Sequence, residues 1–352
     1  MRKTPLAIAA VLAVSASAVL AQASANQAAG RTQPSPLAPA EIVAKAPKAD
    51  WTAIAASDLL VMDLAPDARG KARRVVIQLM PPPFSQGWIG NIRKLTAARF
   101  WDGTAINRVQ DNYVVQWGDP NAEDKAKAKA LPADLVTVPE SDYVTPVKWL
   151  RHDDEISHSY WLSPGVSRIE QRSAYAQAEG FHWGWPVAGD LPGMDDLKPG
   201  IGGPPHPMDH PKQVWPVHCY GMVGVGRDLS PNTGTGAELY TVIGHAPRHL
   251  DRNIALVGRV IEGVEHLSSL PRGKGPLGFY DLKQGDRRVP IRAIRLGSEV
   301  KGLSAYEYLS TESGSFAQYA DARANRRDAF FIRPAGGADI CNIPVPVRRV
   351  PV

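Results

Sequence analysis

The sequence predicts a mainly β fold, in which a closed antiparallel barrel is capped by two helices. Three observations support this prediction: short apolar runs have the length of strands, turn residues separate them, and only two segments show the apolar periodicity of a core helix. A closed barrel suits many short strands because closure leaves no sheet edge unpaired. A long insertion and a C-terminal helical extension are expected to accompany the barrel.

The first 25 residues have the three parts of a secretory signal peptide. Arg2 and Lys3 precede an Ala/Val/Leu-rich run over residues 5–21, and small residues with A-x-A spacing end at Ala25. The alternative is an uncleaved anchor, but the run is near the lower limit for a membrane span and contains serines. We therefore expect residues 1–25 to be removed and the mature chain to be periplasmic or secreted, with no stable membrane insertion after cleavage.

Net charge and cysteine content limit the classes of function that this sequence permits. The net charge of +5 comes from lysines and arginines spread along the chain, which argues against a nucleic-acid partner. Cys219 and Cys341 are the two cysteines. In an oxidising compartment they permit one disulfide and exclude a cysteine-rich metal or redox motif. Whether they pair or remain two thiols is open at this stage.

The elements follow in chain order. Residues 26–50 lack sustained periodicity and predict a flexible leader, so one domain over residues 51–300 is expected to begin near Trp51. Residues 59–64 and 74–79 are near-continuous apolar runs, which predicts strands buried on both faces. A first core helix is predicted after Ser85, where apolar side chains recur at helical spacing: Trp88, Ile89, Ile92 and Leu95. Further strands at 239–243 and 254–260 precede a short helix over 262–270.

The stretch INRVQDNYVVQWGDP, residues 106–120, carries the candidate chemistry. The polar turn at residues 110–112 places Arg108 at the end of one strand, while residues 113–116 begin the next and fold back toward it. Arg108 and Gln116 are therefore expected to share one surface. A permanent cation and a neutral amide beside apolar side chains do not indicate hydrolysis.

Three motifs in a fixed order resemble one family. FWDGTAINRVQDNYVVQWGDP (100–120), PNTGTGAELYTVIG (231–244) and LVGRVIEGVEHL (256–267) are similar to F-x-DG-x-x-FHRV-x-x-x-F-x-x-QGGDP, PNTNGSQFFI and VFGRV-x-x-GM-x-V of the cyclophilin-type peptidyl-prolyl cis-trans isomerases. The resemblance covers about residues 57–298, interrupted by a long insertion at 121–216. It implies a cyclophilin-like barrel that rotates Xaa-Pro peptide bonds without a cofactor or metal.

The resemblance also implies roles for individual residues. Arg108 would donate to the prolyl nitrogen, and Gln116 would hold the substrate backbone. Tyr113 and Val114 would occupy the positions of the pocket aromatic residue and its neighbouring methionine. Gly226 and Arg227 would stand for the backbone-binding Ala-Asn pair. A second wall would contain Glu238, Tyr240, His249 and Leu250, where Gln, Phe, Trp and Leu are usual, and Ile254, where many members have histidine.

Each of these residues also has a structural interpretation. Tyr113, Val114 and Tyr240 could be barrel core, Arg108 a surface charge, and Gln116 the cap of a turn. Of the differences from the family pattern, Glu238 in place of glutamine has the largest expected consequence. A carboxylate beside Arg108 would pair with the guanidinium and compete with substrate.

The insertion is expected to form a lid or side wall, because a structureless loop of that length is unusual in a compact domain. Its histidines suggest either metal ligands or a solvated loop, and irregular spacing favours the loop for His206, Asp209, His210 and His218. The aromatic cluster of His182, Trp183 and Trp185 suggests either a client-binding patch or buried packing, of which packing is the simpler explanation.

Residues 301–352 are predicted to be a helical extension with a Pro-rich tail, because apolar residues recur at roughly helical intervals: Tyr306, Leu309, Phe316 and Tyr319. Two hypotheses for the whole chain follow. One is a monomeric isomerase that assists the folding of exported, proline-containing clients. The other is a cyclophilin-like binding module or chaperone in which second-wall changes have weakened turnover.

Overall fold

The structure is a computed structural model that describes residues 36–146, 173–190 and 213–351. The predicted signal peptide, the first part of the leader, and His206, Asp209 and His210 lie outside the described residues. Within these ranges, no helix combines the length and apolar character that crossing a membrane requires.

The described chain contains four α-helices and fifteen strands. The helices are α1 (Pro39–Lys45), α2 (Gln86–Ala97), α3 (Glu265–Ser268) and α4 (Gly314–Ala324). The strands are β1 (Trp51–Ile54), β2 (Leu59–Leu64), β3 (Arg73–Leu79), β4 (Ala105–Val109), β5 (Val114–Gly118), β6 (Thr145–Pro146), β7 (Ala178–His182), β8 (Trp185–Asp190), β9 (Gln213–Pro216), β10 (Met222–Val225), β11 (Leu239–Val242), β12 (Leu256–Glu262), β13 (Val289–Leu296), β14 (Tyr306–Leu309) and β15 (Val347–Arg349). Short 3-10 turns include Glu140–Tyr143, Arg248–Leu250, Pro276–Gly278 and Ile340–Asn342.

Eight antiparallel strands close into the predicted barrel, in the order β10-β11-β5-β4-β13-β2-β3-β12. The two apolar runs that predicted buried strands form β2 and β3, and β2 pairs with β3 along the whole length of β2. Helix α2 buries the apolar stripe predicted for it, including Trp88, Ile92 and Leu95, and lies against β13. The mainly β, closed-barrel fold class is confirmed.

The described part of the insertion forms its own antiparallel sheet, in the order β6-β9-β8-β7. Arg259 of β12 fixes this sheet to the barrel: its Nη1 donates to the Gly184 carbonyl at 2.6 Å, and its guanidinium lies 4.4 Å from the Trp185 ring centre. Gly184 has φ +82°, and a Cβ there would lie 2.5 Å from the Tyr308 ring. The hairpin between β7 and β8 therefore approaches β14, which lies outside the barrel, as closely as only glycine allows. His182 and Trp185 are buried, whereas Trp183 is exposed.

The two ends of the described chain pack together in ways that the sequence did not predict. From residue 36 onward, the leader contains α1, which buries Ile42 and packs against α4. Burial of this apolar side chain explains why the segment is ordered and not a flexible leader there.

The C-terminal extension is only partly helical. Its first residues form β14, which pairs with β1 and β15, and helix begins only at Gly314. Tyr306 and Leu309 thus belong to a strand, because hydrogen bonding to β1 satisfies their backbone groups. Phe316 and Tyr319 lie in α4 and are buried, as the periodicity predicted.

A disulfide joins Cys219, just before β10, to Cys341 in the C-terminal tail, with a Cα–Cα distance of 5.1 Å. The flanking Ile340 and Ile343 are buried in the main core. The tail therefore docks through apolar side chains as well as through the covalent link.

Candidate active site

Four adjacent barrel strands place the candidate residues in one row. Arg108 of β4 lies opposite Gln116 of β5, Gln116 lies opposite Tyr240 of β11, and Tyr240 lies opposite Gly224 of β10. Side chains alternate between the two faces of a strand, so this row shares one face. The neighbouring positions point into the barrel core: Val109, Val115, Trp117, Leu239 and Val225. The row therefore lies on the outside of the barrel.

Apolar side chains beside this row form a cluster separate from the barrel core. Val114, Tyr240 and Val242 are buried in it, and Tyr113 and Ile254 pack against them. We call these five residues the groove cluster. Their position on the outer face argues against the interpretation that Tyr113, Val114 and Tyr240 are barrel core.

The Arg108 guanidinium is held in a fixed orientation. Its Nε donates to the Leu277 carbonyl at 2.8 Å, Nη1 donates to Gln116 Oε1 at 3.0 Å, and Nη2 donates to Gln110 Oε1. It lies between two rings, 5.6 Å from the centre of Tyr113 and 5.3 Å from that of Phe279. Burial lowers the pKa of Arg108 from its ordinary value, but an arginine remains a cation at neutral pH.

Leu277 and Phe279 are site residues that sequence reasoning missed. They lie about 170 residues after Arg108 in a loop with no motif of its own, and Phe279 forms an isolated β-bridge with Arg108. The sequence signal that could have identified them is the presence of apolar residues in a Gly- and Pro-rich loop, GKGPLGFYDL (273–282).

Glu238 does not pair with Arg108 as expected. Its Oε1 accepts from Gln116 Nε2 at 2.6 Å, so the Gln116 side chain lies between the carboxylate and the guanidinium. The amide consequently turns its oxygen toward Arg108. Burial raises the pKa of Glu238, opposed by the hydrogen bond from Gln116. The carboxylate therefore orients Gln116. The expectation that Glu238 pairs with Arg108 and competes directly with substrate is wrong.

We expect Glu238→Gln to stabilise the protein at pH 8 but not at pH 4. A carboxyl group whose pKa is raised on folding favours the folded state when protonated, and that contribution is lost as pH rises through the folded-state pKa. Glutamine can still accept from Gln116 and has no charge to desolvate. Thermal melting at both pH values measures the effect. An equal difference in Tm at pH 4 and pH 8 would contradict it.

The second wall is built on the turn Arg248–Leu250. The ring of His249 stacks on Tyr113 with a centroid distance of 6.4 Å and an interplanar angle of 7°. His249 thus takes the place of a larger aromatic residue while remaining exposed. Leu250 is partly buried beside it.

Gly226 and Arg227 are already engaged within the protein. The Gly226 N–H donates to the Glu238 carbonyl at 2.8 Å, and Arg227 Nε donates to the Asn253 carbonyl at 2.9 Å. If this pair contacts a substrate backbone, Gly226 can do so only through its carbonyl group.

His218 lies in the protein interior and not in a solvated loop, and both of its ring nitrogens have partners within the protein. It is fully buried, with Nδ1 2.8 Å from Asp251 Oδ1 and Nε2 2.8 Å from the Tyr240 hydroxyl. These buried hydrogen bonds explain why the solvated-loop prediction is wrong for this residue. Across the described ranges, no three His, Cys, Asp or Glu side chains group in a way that could hold a metal ion.

Comparison with known proteins identifies the family. The family model "Cyclophilin type peptidyl-prolyl cis-trans isomerase/CLD" matches residues 88–283, more than half of the 352-residue chain. No curated protein matches the chain.

Two solved structures are similar to it. The cyclophilin AquaCyp293 from Hirschia baltica is 18% identical, with a TM-score of 0.56, and the match covers 85% of this chain and 92% of that one. A cyclophilin-type isomerase from Cryptosporidium parvum, crystallised in the presence of the dipeptide Ala-Pro, is 11% identical, with a TM-score of 0.34 over 67% of this chain and 98% of that one. The family match over more than half of the chain shows that it belongs to the cyclophilin-type peptidyl-prolyl cis-trans isomerase family.

Proposed function

We propose that this protein catalyses the rotation of Xaa-Pro peptide bonds and thereby assists the folding of exported proteins. The observation that carries the proposal is the Arg108 guanidinium, held by three acceptors on the outer face of the barrel beside the groove cluster. An oriented cation next to an apolar surface suits a proline ring and the amide that precedes it.

The chemistry follows from the electronic structure of the amide. Resonance gives the C–N bond partial double-bond character and a rotational barrier of about 18–20 kcal/mol. As the bond twists, the prolyl nitrogen regains a lone pair, so a donor aimed at it binds the transition state better than either planar state. A guanidinium has five N–H groups. Three of those of Arg108 are used within the protein, which leaves two for a substrate.

The required rate enhancement is modest. Uncatalysed isomerisation takes tens of seconds, so about ten turnovers per second require roughly 4 kcal/mol of transition-state stabilisation. One charge-assisted hydrogen bond contributes about 1.5–3 kcal/mol. The groove cluster would supply the remainder by binding the proline ring and excluding water.

We place the mature protein in the periplasm or outside the cell. The support is the signal-peptide pattern of residues 1–25 together with the disulfide between Cys219 and Cys341, a bond typical of oxidising compartments. Its clients would be unfolded or partly folded proteins that contain proline, bound by a monomer. N-terminal sequencing of the exported protein should begin at Asn26.

The second candidate function is a binding module or chaperone with little turnover. Four second-wall residues favour it, because they differ from the residues usual in the family: Glu238, Tyr240, His249 and Ile254. Such a module would bind prolyl peptides without accelerating their rotation.

A protease-free isomerisation assay on the mature protein separates the two functions. We expect NMR exchange spectroscopy on a proline-containing tetrapeptide to show cis-trans exchange in seconds or faster at micromolar protein. Shifted peptide resonances without faster exchange would establish the binding module instead. Refolding of an exported protein whose slow phase is prolyl isomerisation tests the wider role.

A further inference from the structure

The groove has a buried support behind its second wall. The Tyr240 hydroxyl lies 2.8 Å from His218 Nε2, and His218 Nδ1 lies 2.8 Å from Asp251 Oδ1. Arg248 Nε donates to Asp251 Oδ2 at 2.7 Å, and Arg248 Nη2 donates to Glu179 Oε1 at 2.7 Å. We call these five residues the buried relay. Each of them except Glu179 is less than one tenth exposed.

The donor and the acceptor of each hydrogen bond around His218 can be assigned. Asp251 Oδ1 also accepts from the His218 backbone N–H at 3.0 Å, so the Nδ1 contact is a donation to a carboxylate. His218 Nε2 is then the acceptor, and the Tyr240 hydroxyl must donate to it. Burial lowers the pKa of His218, which agrees with a neutral ring.

Two parts of the groove depend on this arrangement. The Tyr240 ring lies over Gly224, where a Cβ would come within 2.3 Å of the Tyr240 Cζ and hydroxyl oxygen. The ring therefore occupies a space that a glycine leaves open, and its hydroxyl fixes it there. Arg248 begins the turn that carries His249 and Leu250, and its bond to Asp251 braces that turn from within.

The far end of the buried relay lies in the insertion. Glu179 belongs to β7, and the Tyr175 ring lies 5.2 Å from the Arg248 guanidinium. Arg259 fixes the adjoining hairpin to the barrel through Gly184. Among the contacts that the insertion makes with the rest of the domain, the one between Glu179 and Arg248 leads by hydrogen bonds to the floor of the groove.

We propose that the insertion sheet is part of the catalytic apparatus, because the buried relay uses it to hold Tyr240, His249 and Leu250 in the geometry that binds a prolyl peptide. Glu179, Arg248, Asp251 and His218 are positioning residues in this arrangement. The inference rests on the proposed function, since it assigns the groove to prolyl substrates.

A double-mutant cycle tests the end of the buried relay next to the groove. His218→Asn keeps a donor near the Nδ1 position for Asp251 but removes the acceptor for Tyr240, and Tyr240→Phe removes the hydroxyl. We expect His218→Asn to lower kcat/KM about fivefold in the native background, the worth of one net hydrogen bond. In the Tyr240→Phe background it should have almost no effect. Equal losses in both backgrounds would mean that His218 acts only through packing, and would overturn the proposal.

A matched pair of variants tests the insertion. Glu179→Gln weakens the ion pair with Arg248, and the control Glu307→Gln weakens an ion pair of the same 2.7 Å length with Arg348, between β14 and β15. Both should lower Tm. Only Glu179→Gln should lower kcat/KM of the folded protein, by about threefold to fivefold. Equal activity in the two variants would overturn the role of the insertion.

Peptide affinity keeps this proposal separate from the proposed function. The dissociation constant of a prolyl peptide is measured for every variant beside turnover. A native protein that binds the peptide without accelerating its rotation would refute the isomerase function. The double-mutant cycle and the matched pair of variants would still test the buried relay, because its effect on the groove would change Kd. If the effects of His218→Asn and Tyr240→Phe are additive in both turnover and Kd, the proposed role of the buried relay is overturned while the isomerase function is not.

Discussion

Replacing Arg108 with alanine is expected to lower kcat/KM for a proline-containing tetrapeptide by a factor of about 10 to 150, the equivalent of the roughly 1.5–3 kcal/mol that one charge-assisted hydrogen bond contributes. The guanidinium is half-buried on the outer face of the barrel, and two of its partners are glutamine side chains at the surface. The fold should therefore survive. NMR exchange spectroscopy measures the rate, and circular dichroism checks the fold.

Two further variants make this prediction specific. Arg108→Lys should restore little activity, because a compact ammonium lacks the directed donors that bind Gln116, Gln110 and Leu277 while still facing the substrate. Arg272→Ala is the matched control, since Arg272 is an exposed arginine 2.9 Å from Asp111 in the adjacent turn and lies outside the groove. Native turnover in Arg108→Ala, or an equal loss in Arg272→Ala, would rule out the proposed donor.

The barrel was predictable because its information is local. Continuous apolar runs give β2 and β3, and helical spacing after Ser85 gives α2. The row of Arg108 and Gln116 also followed from local sequence, since the polar turn at 110–112 leaves antiparallel pairing as the simplest connection between their strands. The family resemblance then added Tyr240 to the same surface.

Residues that act through long-range contacts were not predictable. His218 and Asp251 are 33 positions apart, and Arg248 and Glu179 are 69 apart, so no periodicity relates them. His218 in particular was interpreted as part of a solvated loop. The predicted ion pair between Glu238 and Arg108 was also wrong. The sequence indicates that both residues lie near Gln116, but only the folded geometry shows that the Gln116 side chain separates them.

β14 shows a different limit of sequence reasoning. Its aromatic and leucine residues fit a helical interval and a strand equally well over so short a run. The outcome was decided by β1, more than 250 residues earlier in the chain, which supplies the hydrogen-bonding partner. The ordered α1 has the same cause, since Ile42 packs into a core to which distant segments contribute.

Removal of the disulfide is expected to have the largest effect on stability. Cys219 and Cys341 are separated by 122 residues, and in the chain-entropy model a loop of this length stabilises the folded state by about 5 kcal/mol. The double variant Cys219→Ala with Cys341→Ala should therefore unfold at a markedly lower urea concentration than the oxidised protein. The two folded states should bury the same surface, but without the disulfide the unfolded chain is less restricted and exposes more of that surface, so the slope of free energy against urea should rise.

The folded tail is expected to remain in place in this variant. Ile340 and Ile343 are buried, the Tyr319 hydroxyl donates to the Pro344 carbonyl at 2.7 Å, and β15 pairs with β14. These contacts do not require the disulfide. In the chain-entropy model, the disulfide acts mainly by restricting the unfolded chain. The reduced native protein is the control, and its urea midpoint should match that of the double variant.

Intact mass after alkylation without reductant establishes the bond itself. The denatured, oxidised protein should take up no alkyl groups, and the reduced protein should take up two. Two groups on the unreduced protein would show free thiols and remove the basis of the stability prediction. If the bond is present but the double variant keeps the native urea midpoint, the tail contacts would already hold the chain as firmly as the disulfide does, and the unfolded state would have to be compact enough for closing a 122-residue loop to cost little.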